Sequence, residues 1–221
     1  MKWKMPDNFL KEDFLKSRID ALVFAAAAAC VNRQDEVLKG IVAAFKNGAS
    51  LQGIYEAILQ TYLFAGFPAA LEGFATFEKF LKAADISFKS GNYEDIDVDV
   101  FKKRGEILCA EIYTSAYDKM RARAEKLSPE LNEWMIVEGY GKTLSRGVLK
   151  TVERELIIVG MLAVLGWEKQ LFSHIRGAIN VGASVEDCEN VLKIVSPLSS
   201  ESKSELAGKV LKTVSESFKK V

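Results

Sequence analysis

The chain contains a single histidine, His174, and nineteen residues before it stands Glu155. The stretch Thr151–Val191 around them reads as two helices folded back on one another. If Gly166 marks the turn, Glu155 lies eleven residues before it and His174 eight after. At about 1.5 Å rise per residue, the two then differ by about 4–5 Å in height along neighbouring antiparallel helices, close enough to touch directly or through one water. An imidazole beside a carboxylate can give and take a proton. Leu156, Ile157, Met161, Leu171 and Ile175 imply apolar surroundings, where such a contact is stronger than in water. Plainer readings stand beside this one. A lone histidine on an amphipathic helix is usually a satisfied or surface residue, and Glu155 near a helix start can simply complement the helix dipole.

Hydrophobic residues make up 49% of the 221 positions and charged residues 27%, which places the chain among folded globular proteins with a substantial core. The 30 basic and 30 acidic side chains cancel, so no broad electrostatic case exists for nucleic acid or an anionic membrane as partner. The longest apolar runs, 21–31 and 157–165, are too short to cross a bilayer. Asp7, Glu12 and Asp13 interrupt any basic-then-apolar leader, so a cytoplasmic protein is expected. Cys30, Cys109 and Cys188 are odd in number and widely spaced, without a CxxC pair or a histidine cluster. Buried small apolar residues are the better reading than disulfides, and no metal site is expected.

Proline occurs four times, and period-two runs of β-branched residues are nearly absent, so the expectation is all-α. Asp13 is a candidate cap for a helix to about Val31. A second helix spans Asp35–Lys46 and ends at Asn47-Gly48. Ser50 caps a third, running to about Phe64, and Ala65-Gly66-Phe67-Pro68 breaks the pattern before a helix through Leu81. Residues 87–99 read as a linker. Helices resume over Val100–Lys126 and Pro129–Glu138, with Tyr140-Gly141-Lys142 and Ser145-Arg146-Gly147 on a loop leading into the Thr151 helix.

Self-similarity organises these elements. Asn47-Gly48-Ala49-Ser50 recurs as Val181-Gly182-Ala183-Ser184, the segment 39–45 lies opposite 173–179, and Arg18–Leu22 lies opposite Arg154–Ile158. Two degenerate copies of one helical unit are expected: 1–86 without the polar pair, the linker 87–99, and 100–221 carrying it. In this register Ile19 faces Glu155 and Gly40 faces His174. Conversely, Gly66-Phe67-Pro68 has no counterpart, because Ser199-Ser200-Glu201-Ser202 occupies its place.

Three stretches, 140–156, 171–186 and 60–70, resemble the carboxymuconolactone decarboxylase family of the alkylhydroperoxidase D-like superfamily. The resemblance implies an alkylhydroperoxidase D-like helical fold and homo-oligomers. The superfamily's peroxidase branch pairs a glutamate with a histidine nineteen residues on and a CxxC pair between. The positions of its cysteines are Trp167 and Gln170 here, so thiol peroxidase chemistry has no nucleophile. The decarboxylase branch needs no cysteine. It implies a cofactor-free lyase acting on a small carboxylated lactone or related acid, with His174 and Glu155 catalytic and Arg146, Ser145 and Tyr140 as substrate contacts. Arg146 would hold substrate carboxylates in two-point fashion. In this chain Gly147 follows Ser145-Arg146 where the family commonly has proline, and the glycine–proline segment after the histidine helix is missing. Alternatives are a family member with another acid–base or oxidative-stress-related activity, and a non-catalytic helical oligomer that binds a small ligand or partner. Arg146 can equally bridge a subunit contact, Tyr140-Gly141 can be only a turn, and Gly66-Phe67-Pro68 can be only a helix break.

Overall fold

The computed structural model describes residues 15–90 and 97–218. Among these the chain is helical without a strand. The helices are α1 (Arg18–Cys30), α2 (Gln34–Lys46), α3 (Leu51–Leu59), α4 (Tyr62–Ala84), α5 (Val98–Tyr113), α6 (Tyr117–Leu127) and α7 (Pro129–Trp134). A π-helix (Met135–Leu144) follows, then α8 (Thr151–Leu165), α9 (Glu168–Asn180), α10 (Val185–Val195) and α11 (Glu201–Phe218).

The core is built around α1, in which every residue from Asp20 to Ala29 is buried. Its five consecutive alanines leave room for close neighbours on all sides. A side chain at Gly40 of α2 would come within 2.8 Å of the Ala25 backbone, and one at Gly160 of α8 would meet Val23 at 2.7 Å. Helix α1 therefore threads between α2 and α8 with only small residues at the crossings. Ile157, Ile158, Met161 and Ile175, from the apolar stripes of α8 and α9, complete that core.

Local chemistry sets several boundaries. The expected cap at Asp13 lies outside the described residues; α1 starts instead with a reciprocal box, in which the Asp20 N–H donates to Ser17 Oγ and the Ser17 N–H to Asp20. Ser50 and Ser184 both cap as expected, accepting from the N–H groups of Gly53 and Asp187. The turns before them are alike, with Gly48 at φ 84° and Gly182 at φ 110°. Gly66, at φ 80° and ψ 171°, breaks α4 where the sequence placed the break.

Three expectations differ from the observed elements. Residues 91–96 of the expected linker lie outside the described residues, but Asp97 already caps α5. The single helix expected over Val100–Lys126 is two, parted at Thr114 (φ 48°) and a 3-10 turn over Thr114–Ala116. Asn180 holds that break, its Nδ2 donating to the Ile112 carbonyl at 2.8 Å. Finally, Tyr140-Gly141-Lys142 is no loop but π-helix. Gly105 and Gly141 let α5 and this π-helix meet at their backbones, since a Cβ on either would lie within 2.1 Å of a carbonyl oxygen on the other.

Candidate functional site

Helix α8 ends at Gly166, whose φ of 80° turns the chain back so that α9 runs beside it. The hairpin brings His174 Nδ1 to 2.9 Å from Glu155 Oε2. Both residues are buried, Glu155 at 1% exposure and His174 at 7%. The contact is possible because position 177 carries no side chain: a Cβ there would stand 2.8 Å from Glu155 Oε2 and 2.7 Å from Ile112. The other carboxylate oxygen, Oε1, is buried without a hydrogen-bond partner. Asn132 Oδ1, Arg154 Nε and Ser199 Oγ share that condition among the described residues, and a buried acceptor of this kind is ordinarily costly to a fold.

Two aromatic rings flank the imidazole edge-on: Phe64, with centroids 5.8 Å apart, and Tyr113, at 6.4 Å. Phe64 stands just before the Gly66 break, so that break helps form a wall of the site. Sequence reasoning missed both rings. Tyr113 in turn accepts a hydrogen bond from the Tyr140 hydroxyl at 3.2 Å. Burial raises the Tyr140 hydroxyl well above its ordinary value and raises that of Tyr113 too, so both stay protonated. Burial likewise pushes the thiols of Cys30, Cys109 and Cys188 up to about 12, which leaves no thiolate at neutral pH.

The expected substrate contacts lie apart from the pair. Tyr140 is buried against Tyr113, within one contact of His174. Ser145 donates to the Gly141 carbonyl inside the chain. Arg146 faces Glu56 of α3, its Nε 3.0 Å from both carboxylate oxygens and its Nη2 2.8 Å from Oε1. A substrate carboxylate could take that two-point site only by displacing Glu56.

Glu56 is the centre of a second buried cluster that sequence reasoning also missed. Arg154, beside Glu155 on α8, donates to Glu56 Oε2 at 2.9 Å, to Gln60 Oε1 at 3.1 Å and to the Arg146 carbonyl at 2.7 Å. Burial would raise the Glu56 carboxyl, but the two guanidinium groups overcome it and hold it below the usual carboxylate range. The one available signal was a glutamate inside the apolar run Ile54–Ile58.

A cavity of about 300 Å³ opens on another face of α9, lined by Tyr113 and Gly177 but not by His174. Among the described residues no group of histidine, cysteine and carboxylate side chains is arranged to hold a metal. Nor is any described helix long and apolar enough to cross a membrane.

Peroxisomal protein 2 of Schizosaccharomyces pombe (strain 972 / ATCC 24843) is 24% identical over 192 residues, which cover 81% of this chain and 85% of that one. Residues 129–210 match the model of the Carboxymuconolactone decarboxylase family. That span holds Tyr140, Ser145, Arg146, Glu155 and His174, whereas Glu56, Phe64 and Tyr113 lie outside it. The buried glutamate–histidine pair thus sits within residues 129–210, the part of the chain that is similar to the carboxymuconolactone decarboxylase family.

Proposed function

We propose that the protein is a cofactor-free lyase that uses Glu155 and His174 for acid–base chemistry on a small carboxylated lactone or related acid. The observation that carries this reading is the 2.9 Å contact between two buried groups, one of them with an unpartnered oxygen. With Nδ1 held by Glu155, the ring presents Nε2 to a substrate. When carbon dioxide leaves, the electron pair of the broken C–C bond stays on the neighbouring carbon and spreads into the lactone carbonyl. A proton from His174 Nε2 then closes the carbon; Glu155 stabilises the imidazolium that donates it, and the neutral ring left behind regains a proton from water. Arg146, Ser145 and Tyr140 remain proposed substrate contacts, with Arg146 requiring the Glu56 pair to open. Purified protein assayed with carboxymuconolactone tests the reading. Turnover in His174→Gln is expected to fall by about 10²–10⁴-fold; undiminished turnover sinks the assignment.

A second reading, a non-catalytic oligomer that binds a small ligand, draws support from the cavity, which His174 does not line. Absence of turnover on any lactone acid, with ligand binding retained, would favour it. A homo-oligomer is proposed under either reading. The exposed Phe67 and Leu71 on α4, and Leu127, Leu131 and Trp134 on α6 and α7, supply the apolar surface for it. A monomer by light scattering at micromolar concentration would count against it. Two degenerate repeats, 1–86 and 100–221 about the linker, are proposed on the matched caps and turns of α1–α3 and α8–α10. A superposition that fails to bring those three helix axes into register would overturn them. The proposed compartment is the cytoplasm; the relative's name offers the peroxisome as the alternative, and imaging of the tagged protein separates the two.

A further inference from the structure

The cavity beside α9 has a distinctive lining. Its floor is apolar, made by Ile112, Met120 and Phe172, with Tyr113 at the inner end. Its remaining charged groups are Lys119, Arg123 and Arg176, and no carboxylate lines it. Among the described residues none of these three cations forms an ion pair with an acidic side chain. Arg176 is instead held over the rings of Phe172 and Phe218, at 5.9 and 5.8 Å. A chain with equal numbers of acidic and basic side chains has collected three cations around one apolar hollow and kept carboxylates out of it.

We infer that this groove binds an amphipathic organic anion, with its carboxylate or phosphate head between Lys119, Arg123 and Arg176 and its apolar body on Ile112, Met120 and Phe172. Arginine supplies a planar fork for an oxyanion and lysine a mobile point charge. A volume of about 300 Å³ is at the small end of ligand pockets and limits the body to a short chain or a single ring. The bend at Thr114, held by Asn180, turns the chain from α5, which packs on α9, into α6, and the hollow lies between α6 and α9. The site is separate from the acid–base pair. Gly177 and Tyr113 form the partition, since each borders the groove on one side and Glu155 or His174 on the other.

Calorimetric titration of the full-length protein with octanoate and with octyl phosphate tests the inference, with 1-octanol and inorganic phosphate as controls. At least one of the two amphipathic anions is expected to bind saturably, more tightly by about tenfold or more than either control. Lys119 and Arg123 are both exposed, so the double charge reversal Lys119→Glu with Arg123→Glu is expected to leave folding intact and weaken binding by about tenfold or more. His174→Gln, which alters no lining residue, is expected to bind as the wild type does. That result separates the groove from the proposed lyase activity, which the same variant is expected to lower by about 10²–10⁴-fold. Failure of both anions to bind at millimolar concentration overturns the inference. So does binding that octanol matches, or that the double reversal leaves unchanged.

Discussion

Two buried carboxylates, Glu155 of α8 and Glu56 of α3, which meets Arg154 next to Glu155, are treated in opposite ways. Glu56 meets Arg146 and Arg154, and every oxygen is engaged. Glu155 has one partner, His174, and leaves one oxygen with none. With both carboxylate oxygens held by cations, Glu56 ties together α3, α8 and the segment around Arg146, although Arg154 Nε in the same cluster is buried without a partner. The Glu155–His174 pair makes one contact between α8 and α9 and is the pair to which the proposed reading gives the proton. Adjacent residues of one helix, Arg154 and Glu155, thereby enter two differently connected clusters.

The sharpest way to break this contrast is Glu56→Gln. It leaves Arg154 buried beside a neutral partner and is expected to destabilise the fold by about 3–5 kcal/mol in urea denaturation. Because the Glu56 carboxyl is held below its ordinary value, its stabilisation is fully present above the unfolded-state value of about 4.3 and disappears as pH falls through the lower folded-state value. Wild-type stability should therefore drop through that acid range, and Glu56→Gln should show a shallower drop. An identical pH profile in both would remove Glu56 from the cohesive role.

Gly177→Ala probes the other carboxylate. The added methyl collides with Ile112 and Glu155 Oε2, at an expected cost of about 1–3 kcal/mol in thermal denaturation. It should also alter the His174 ring resonances in NMR spectra. Unchanged resonances would mean that the pair does not depend on the empty space at that position. The smallest effect is expected for Tyr113→Phe, which deprives the buried Tyr140 hydroxyl of its acceptor and should lower stability by about 1 kcal/mol. A loss as large as that of Glu56→Gln would show that the Tyr113–Tyr140 contact belongs with the structural ties.

The pair itself was legible because helical rise and a glycine turn fix the height of two residues on a hairpin, whatever else the chain does. The caps at Ser50 and Ser184 and the turns at Gly48 and Gly182 were legible for a similar local reason. The Glu56 cluster was not, because its bonds join residues 90 to 98 apart, and nothing within α3 reveals which cation will arrive. Thr114 could not be read as a break, since a β-branched residue at φ 48° runs against local preference and is held there by Asn180 from another helix. The C-terminal part of the π-helix, Tyr140–Lys142, reads as a loop from sequence because its glycine suggests a turn, whereas Gly141 serves backbone approach.

The burial of α1 on every side has a consequence for the order of synthesis. It leaves the ribosome well before α8, yet one flank is covered by that helix, and its Arg18 meets Glu153 across 135 residues of chain. At about 5–20 residues per second, α8 follows on the order of ten seconds later. Through that interval α2 and α4 can shelter part of the alanine run, while the flank meant for α8 stays uncovered. Val23 lies on that flank, and the alanines that follow it, the least adhesive of the apolar side chains, limit how much sticky surface the waiting helix shows.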